Sequence, residues 1–233
     1  MTVMSALPIS CAQCPRLRTA FYRSEQQTLV EMNELRTGNR HYPAKRTIYR
    51  EGEPASEMLI IFDGWAFRYK LLPGGRRQIL SFLLPGDAIS MPLITSDRLP
   101  YSVQSLTAVT ACSFERRCFA DFVTKHDNIA RQMESWCISA MAAADERLVD
   151  LGRRSAYERV GRLINDLLVV MEQKGIPTVN PIYFPLGQTH IADALGLTAI
   201  HAGRVLRRLR KEGVLSLHRG RLDVMDRAAL RRL

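Results

Sequence analysis

The spacing of apolar residues changes several times along the chain, and each change marks a different kind of structure. Leu29, Met32 and Leu35 recur at helical spacing and predict a short helix over residues 25–36. From Arg46 to about Phe114 the apolar residues come instead in short runs rich in β-branched and aromatic side chains: Ile48-Tyr49, Met58 to Phe62, Trp65 to Leu72, Arg77 to Leu83, Ser102 to Ala108 and Thr110 to Phe114. Glu51-Gly52-Glu53-Pro54, Asp63-Gly64, Pro73-Gly74-Gly75 and Pro85-Gly86-Asp87 separate them, and these residues supply the dihedral angles of tight turns. Many short strands at regular intervals predict a small antiparallel barrel or jelly roll.

Helical spacing returns near Phe119. Ile129, Met133, Trp136, Ala140, Ala144, Leu148 and Leu151 then form one apolar stripe on a long helix. A small roll has too little surface to cover such a stripe, so a second copy of the helix is its expected partner, with Ala140 and Ala144 permitting close approach. Another helix is predicted over Ala156 to Gln173, stopped by Lys174-Gly175-Ile176-Pro177, followed by an extended stretch from Pro181 to Pro185. Residues 1 to about 20 show little apolar periodicity and predict an arm outside the core.

The stretch from Thr189 to Leu195 reads as a short helix, Gly196 as a turn, and Thr198 as the N-cap of a second helix running to Lys211. On that second helix Val205, Leu206 and Leu209 face inward, while His201, Arg204, Arg208 and Lys211 project outward, as in a helix that enters the major groove. Gly213 to Val224 predicts a β-hairpin turning at Arg219-Gly220, a wing that places His218 and Arg219 beside the DNA backbone. A short closing helix is expected over Asp226 to Leu233.

Charge sharpens this picture. The net charge is +10, and the stretch from Arg153 onward, with 15 Lys and Arg against 7 Asp and Glu, carries +8 of it. A basic segment joined to a nearly neutral one is the footprint of a nucleic-acid-binding domain. No apolar run has the roughly 20 residues of a membrane span, and no charged-then-apolar leader opens the chain, so a cytoplasmic protein is expected. An odd total of 5 cysteines argues against a disulfide framework; Cys112, Cys118 and Cys137 sit in apolar sequence surroundings. The chain carries no H-E-x-x-H, P-loop or G-x-S-x-G motif, which argues against an enzyme of those classes.

The order of glycine-punctuated roll, long helix and winged helix-turn-helix resembles the Crp/Fnr family of bacterial regulators over nearly the whole chain. Glu51-Gly52, Asp63-Gly64-Trp65, Gly75-Arg76-Arg77-Gln78 and Pro85-Gly86-Asp87 resemble the family's roll glycines, and Leu195-Gly196-Leu197-Thr198 through Arg204 resembles its recognition motif. The implied fold is α+β: an N-terminal arm with C-x-x-C (1–24), a cyclic-nucleotide-binding-type β-roll or jelly roll (25–122), a dimerisation helix (123–152) and a C-terminal winged helix-turn-helix (153–233). The resemblance implies a homodimeric transcription regulator on palindromic double-stranded DNA that contacts RNA polymerase. It assigns guanine reading to Arg204, and the family glutamate that accepts from cytosine is replaced here by Ile200, which suits a thymine methyl. Gln188, Thr189, Thr198, Ile200, His201, Arg204, Arg208, His218 and Arg219 are thus the residues assigned to DNA, with Gln188 and Thr198 positioning phosphates.

The signal is less defined. The glutamate and Arg-Ser pair of a cyclic-nucleotide site are absent, since Asp87 follows Gly86 and Arg98 precedes Leu99, so cyclic AMP is not expected. The Fnr branch holds a [4Fe-4S] cluster on three N-terminal cysteines and one from the roll. Cys11, Cys14 and Cys112 resemble three of these, whereas Ala20 stands near the remaining position, leaving Cys118 or a histidine as a substitute ligand. Zinc binding, thiol redox chemistry or no role stay open for the C-x-x-C pair. FixK-like members act without a bound effector, and that alternative stays open as well. A kinase regulatory subunit would share the roll but not residues 186–224.

Overall fold

The computed structural model describes residues 10–17 and 25–233. They form two compact units, one containing the described residues up to Tyr69 together with Phe82–Ser139, the other Lys70–Ser81 with Ala140–Leu233. Among the described residues no helix is long and apolar enough to cross a membrane.

The first unit holds α1 (Gln26–Glu34), β1 (Arg36–Tyr42), β2 (Thr47–Tyr49), β3 (Glu57–Asp63), most of β4 (Ala66–Leu71), the end of β5 (Arg77–Leu83), β6 (Ser102–Ser105), β7 (Val109–Glu115), α2 (Arg116–Lys125) and the start of α3 (Asp127–Arg153). Its strands make two antiparallel sheets, β1-β7-β3 and β2-β6-β4-β5. Strand β1 is absent from the sequence-based expectation because Arg-Thr-Gly-Asn-Arg-His-Tyr has no apolar alternation. It forms because the backbone groups of β7 need partners on both edges, and Asn39 to Tyr42 pair with Cys112 to Val109. Met58 to Phe62, covered on both faces of β3, are buried together with Phe67, Val103, Ala111 and Phe114.

Residues 10–17 correct the expected arm. A 3-10 turn over Cys11–Gln13 lays Cys11, Cys14 and Leu17 on the roll core beside Met32, Ile60, Phe62, Cys112 and Phe114. Their spacing of three matches the three-residue period of that turn, a signal that a search for helical period misses. The Cys11 amide donates to Asn33 Oδ1 at 3.0 Å, and Arg16 Nε to the Phe62 carbonyl at 3.2 Å. By contrast Cys118 and Cys137, expected in apolar surroundings, are exposed.

The long helix is also broken where continuity was expected. His126, with φ −122° and ψ 92°, separates α2 from α3. Its ring stacks on Phe122 at 4.3 Å and hydrogen-bonds the Phe122 carbonyl and Glu31 Oε2, both at 2.9 Å. On α3 the expected stripe divides. Ile129 is fully buried, and Met133 and Trp136 pack on the roll core. The exposed apolar row keeps Ala144, Leu148 and Leu151 of the expected stripe and adds Ile138 and Met141, while Ala140 is partly buried. A roll packed on the first turns of α3 takes those apolar residues for its own core, and the sequence period cannot distinguish the two faces.

The second unit contains α4 (Ala156–Gln173), β8 (Ile182–Tyr183), α5 (Gln188–Leu195), α6 (Ala199–Lys211), β9 (Leu215–His218), β10 (Arg221–Val224) and α7 (Arg227–Arg231). Strands order as β8-β10-β9. Arg77, in the β4–β5 segment that belongs to this unit, donates to Asp193 Oδ2 from Nε at 2.9 Å and Nη2 at 2.7 Å.

A polar node ties the roll sheet together. Glu57 on β3 accepts from Arg40 Nε on β1 at 3.0 Å and from Ser113 Oγ on β7 at 2.9 Å, and Thr37 Oγ1 donates to Ser113 Oγ at 3.0 Å. The Arg40 hydrogen bond holds the Glu57 carboxyl below the usual carboxylate range, with Ser113 adding to it against a burial effect of opposite sign. A lowered folded-state value means that the stabilisation is present above the ordinary carboxylate range and is lost as pH falls through the folded value. Urea unfolding of wild type and Glu57→Gln should therefore differ at pH 7 and converge in acid; a gap that widens in acid would contradict this role.

Candidate nucleic-acid interface

Helix α5 starts after Gly187, whose amide donates to His190 Nδ1 at 3.0 Å. It ends at Gly196, which adopts the left-handed conformation at φ 64°, and the amides of Gly196 and Leu197 both return to the Ala192 carbonyl. Glycine is the residue that takes this conformation without a β-carbon clash, so it sets the angle at which the chain leaves α5. Thr198 then caps α6, its hydroxyl accepting from the His201 amide at 3.2 Å. The turn and cap expected from the sequence are thus both formed.

Helix α6 is two-faced. Ala202, Gly203, Val205, Leu206 and Leu209 are buried against α4, α5 and β9, each of the larger three contributing about 1.5–3 kcal/mol. Ile200, His201, Arg204, Arg207, Arg208, Arg210 and Lys211 are exposed, Ile200 to 68%. Gln188 and Thr189 are exposed at the start of α5, although the Gln188 amide lies over α6: a β-carbon on Gly203 would stand 2.7 Å from Gln188 Oε1. In the wing, Arg219 (φ 47°) and Gly220 (φ 77°) form the β9–β10 turn with the two positive φ angles a tight hairpin requires. His218 and Arg219 are exposed there, as is Arg221, which the sequence reading left out.

The basic residues are not equivalent. Arg208 stacks on the Tyr157 ring at 4.5 Å and donates to Glu212 Oε1 at 2.8 Å, while the Tyr157 hydroxyl donates to Glu212 Oε2 at 2.5 Å. Burial, and then the Glu212 bond, push the Tyr157 phenol up to about 12. Arg208, predicted as a DNA contact, is therefore already engaged by α4 and by its own helix. Arg204, Arg207 and Arg210 have no carboxylate partner among the described residues. The sequence hinted at this division, since Glu212 follows Arg208 at the (i, i+4) spacing of a helical ion pair.

Two further sites were predicted in the roll. Cys11, Cys14 and Cys112 do converge, lining one buried pocket with Arg16, Leu17, Met32, Arg36, Ile60 and Phe114. Burial, reinforced by Cys112 and Cys14, pushes the Cys11 thiol up to about 12; burial also raises Cys112, against an opposing effect of Arg36. Among the described residues no three Cys, His, Asp or Glu side chains are grouped as a metal site, and Ala20 lies outside them. At the nucleotide position Asp87 Oδ2 accepts from the Leu84 amide at 2.8 Å and so closes its own turn. Arg98 donates to the Gly52 carbonyl at 2.5 Å. Ile89, Leu93, Leu99, Tyr101 and Val103 fill the adjoining interior.

Comparison with known proteins agrees with this architecture. Residues 39–126 match the cyclic nucleotide-binding domain family and residues 158–233 the Crp-like helix-turn-helix domain family. The nitrogen fixation regulation protein FixK of Bradyrhizobium diazoefficiens is 31% identical, over 96% of this chain and 93% of that protein. The transcriptional activatory protein AadR of Rhodopseudomonas palustris is 32% identical, over 79% of this chain and 76% of its own. Among solved structures, FixK2 from Bradyrhizobium japonicum superposes with a TM-score of 0.73 at 26% identity, covering 84% of this chain and 96% of that one. With both domain families matched in order and relatives of this similarity along nearly its whole length, the chain belongs to the Crp/Fnr family of transcription regulators, in its Fnr/FixK-like branch.

Proposed function

We propose that two copies of this chain bind one palindromic DNA site, each placing α6 in the major groove of a half-site, with Arg204 as the principal base reader. The observation that carries this is the contrast on one helix: Arg208 is tied to Tyr157 and Glu212, whereas Arg204 is exposed, free of a carboxylate and on the face opposite the buried one. A guanidinium left uncommitted in that way can make both hydrogen bonds to guanine O6 and N7. Ile200, four residues earlier, offers an apolar contact to a thymine methyl. His201 stands beside it as a further base contact, and Thr198, His218 and Arg219 position the backbone.

Arg204→Ala should weaken binding to a cognate fragment by about 1–3 kcal/mol, roughly 5- to 150-fold at fixed salt, and relax preference at one base pair. Arg219→Gly retains the positive φ of the wing turn while removing a cation. It should weaken all sequences alike and reduce the slope of log K against log salt by about 1. Unchanged affinity of Arg204→Ala in electrophoretic shift assays would defeat the assignment of α6.

The second copy covers the exposed row of α3. Ile138, Met141 and Leu148 are each about two-thirds exposed in one chain, an arrangement that a partner helix relieves. Met141→Glu should therefore move the protein from dimer to monomer in sedimentation velocity and abolish tight binding to the palindrome. A stable Met141→Glu dimer would place the seam elsewhere.

Effector-independent action, of the FixK-like kind, is the reading the roll supports. The nucleotide position is closed by Asp87, Arg98 and apolar side chains, which leaves nothing to hold a cyclic phosphate. The cysteines do not fit a [4Fe-4S] cluster either. Three thiols pack among apolar side chains, and Cys118, the substitute ligand, is exposed at the start of α2. Protein purified without oxygen is expected to contain no stoichiometric iron and to lack visible cluster absorption; bound iron with that absorption would overturn this reading. Activation through contact with RNA polymerase is the regulatory outcome we favour, since the relatives include a named activatory protein.

A further inference from the structure

The joint between α3 and α4 is two residues long, Arg154-Ser155, and two separate devices hold it. Ser155 caps α4 through a reciprocal box with Glu158: the Glu158 amide donates to Ser155 Oγ at 3.3 Å, and the Ser155 amide to Glu158 Oε2 at 2.8 Å. That box fixes where α4 begins. It does not fix the angle at which α4 leaves α3.

An ion network built on the buried Asp150 crosses the joint. Asp150, one turn before the end of α3 and 3% exposed, accepts from Arg154 Nη1 and from Arg162 Nε, the latter at 3.1 Å. Glu146, one further turn back, accepts from the same two guanidiniums, Arg154 Nη1 at 3.2 Å and Arg162 Nη2 at 3.0 Å. Two carboxylates on α3 thus hold one arginine at the joint and one on the second turn of α4. Arg147 and Asp166 complete the charged surroundings. Helix α4 in turn carries the DNA-contacting elements. It packs on α6, α5 and α7, and Arg159 Nη1 donates to the Leu195 carbonyl at the end of α5.

We propose that Asp150 is a positioning residue for DNA binding: through Arg154 and Arg162 it sets the angle between α3 and α4, and with it the separation of the two recognition helices in the dimer. Buried ion pairs are poor sources of net stability, because desolvation offsets their attraction, but they penalise every geometry in which a partner is lost. Such a network selects one angle sharply. Two recognition helices must lie one helical turn of DNA apart, about 34–36 Å, to engage both half-sites, so a small change of angle on each side misplaces both. The inference rests on the dimeric reading above.

The test measures binding by wild type, Asp150→Asn and Arg162→Lys to three kinds of duplex: a palindrome, the same palindrome with base pairs added or removed between half-sites, and one half-site beside a scrambled one. Wild type is expected to prefer one spacing. Asp150→Asn should bind the single half-site within about twofold of wild type, lose about tenfold or more on the palindrome and respond less to spacing, a loss on the scale of a misplaced base contact. Arg162→Lys, which retains the charge, should lose less on the palindrome than Asp150→Asn. An Asp150→Asn profile that parallels wild type across spacings overturns the proposal, as does an equal loss on the half-site and the palindrome. Wild type with no preference for the palindrome defeats the dimeric reading instead. If Asp150→Asn lacks a cooperative melting transition, Arg162→Gln, at a more exposed position, is read by the same criteria.

Discussion

Leu206, Leu209 and Val205 seat one side of α6 on α4, α5 and β9, and what this chain can do with DNA follows from that seating. Burial of one face determines which residues are presented on the other. It puts Ile200, His201 and Arg204 near the start of the helix and outward, and it holds Arg208 close enough to α4 for Tyr157 to stack on it. A helix with the same residues but no fixed face would offer an unordered set of cations and only non-specific affinity for phosphate. Specific reading needs an arginine whose plane is constrained by its helix and whose hydrogen bonds are unspent. Arg208 has spent hydrogen bonds on Glu212, whereas Arg204 has no carboxylate partner among the described residues.

The roll follows the opposite logic. Its strands and turns build the architecture of a cyclic-nucleotide domain, but the polar groups at the ligand position are consumed internally. Asp87 closes a turn and Arg98 serves a backbone carbonyl. Apolar side chains occupy the adjoining interior. The cysteine group is similar in character: three thiols that resemble a cluster site are held among apolar neighbours, and burial pushes the Cys11 thiol up to about 12.

Residues in short-range motifs were legible from the chain alone. The Gly196 turn, the Thr198 cap and the Arg219-Gly220 wing each depend on local dihedral angles and nearby hydrogen bonds, and all three form as their residues predict. Most strands of the roll and the bounds of α4 were equally legible, since period and turn residues carry that information locally. Strand β1 was hidden because its residues are polar and its existence depends on the exposed edge of β7, more than 60 positions away along the chain.

The sequence by itself determined the order of elements and the basic character of the last third, because composition and local periodicity encode these directly. Tertiary structure alone decided which face of α3 remains open, which arginines stay unpaired, and that Cys11, Cys14 and Leu17 belong to the core. Periodicity shows that an apolar stripe must be covered but cannot say by what. A charge count likewise does not reveal which cations find a carboxylate. Those outcomes depend on contacts between segments far apart in the chain, such as Tyr157 with Arg208 or Asp150 with Arg162, that exist only once the helices are packed.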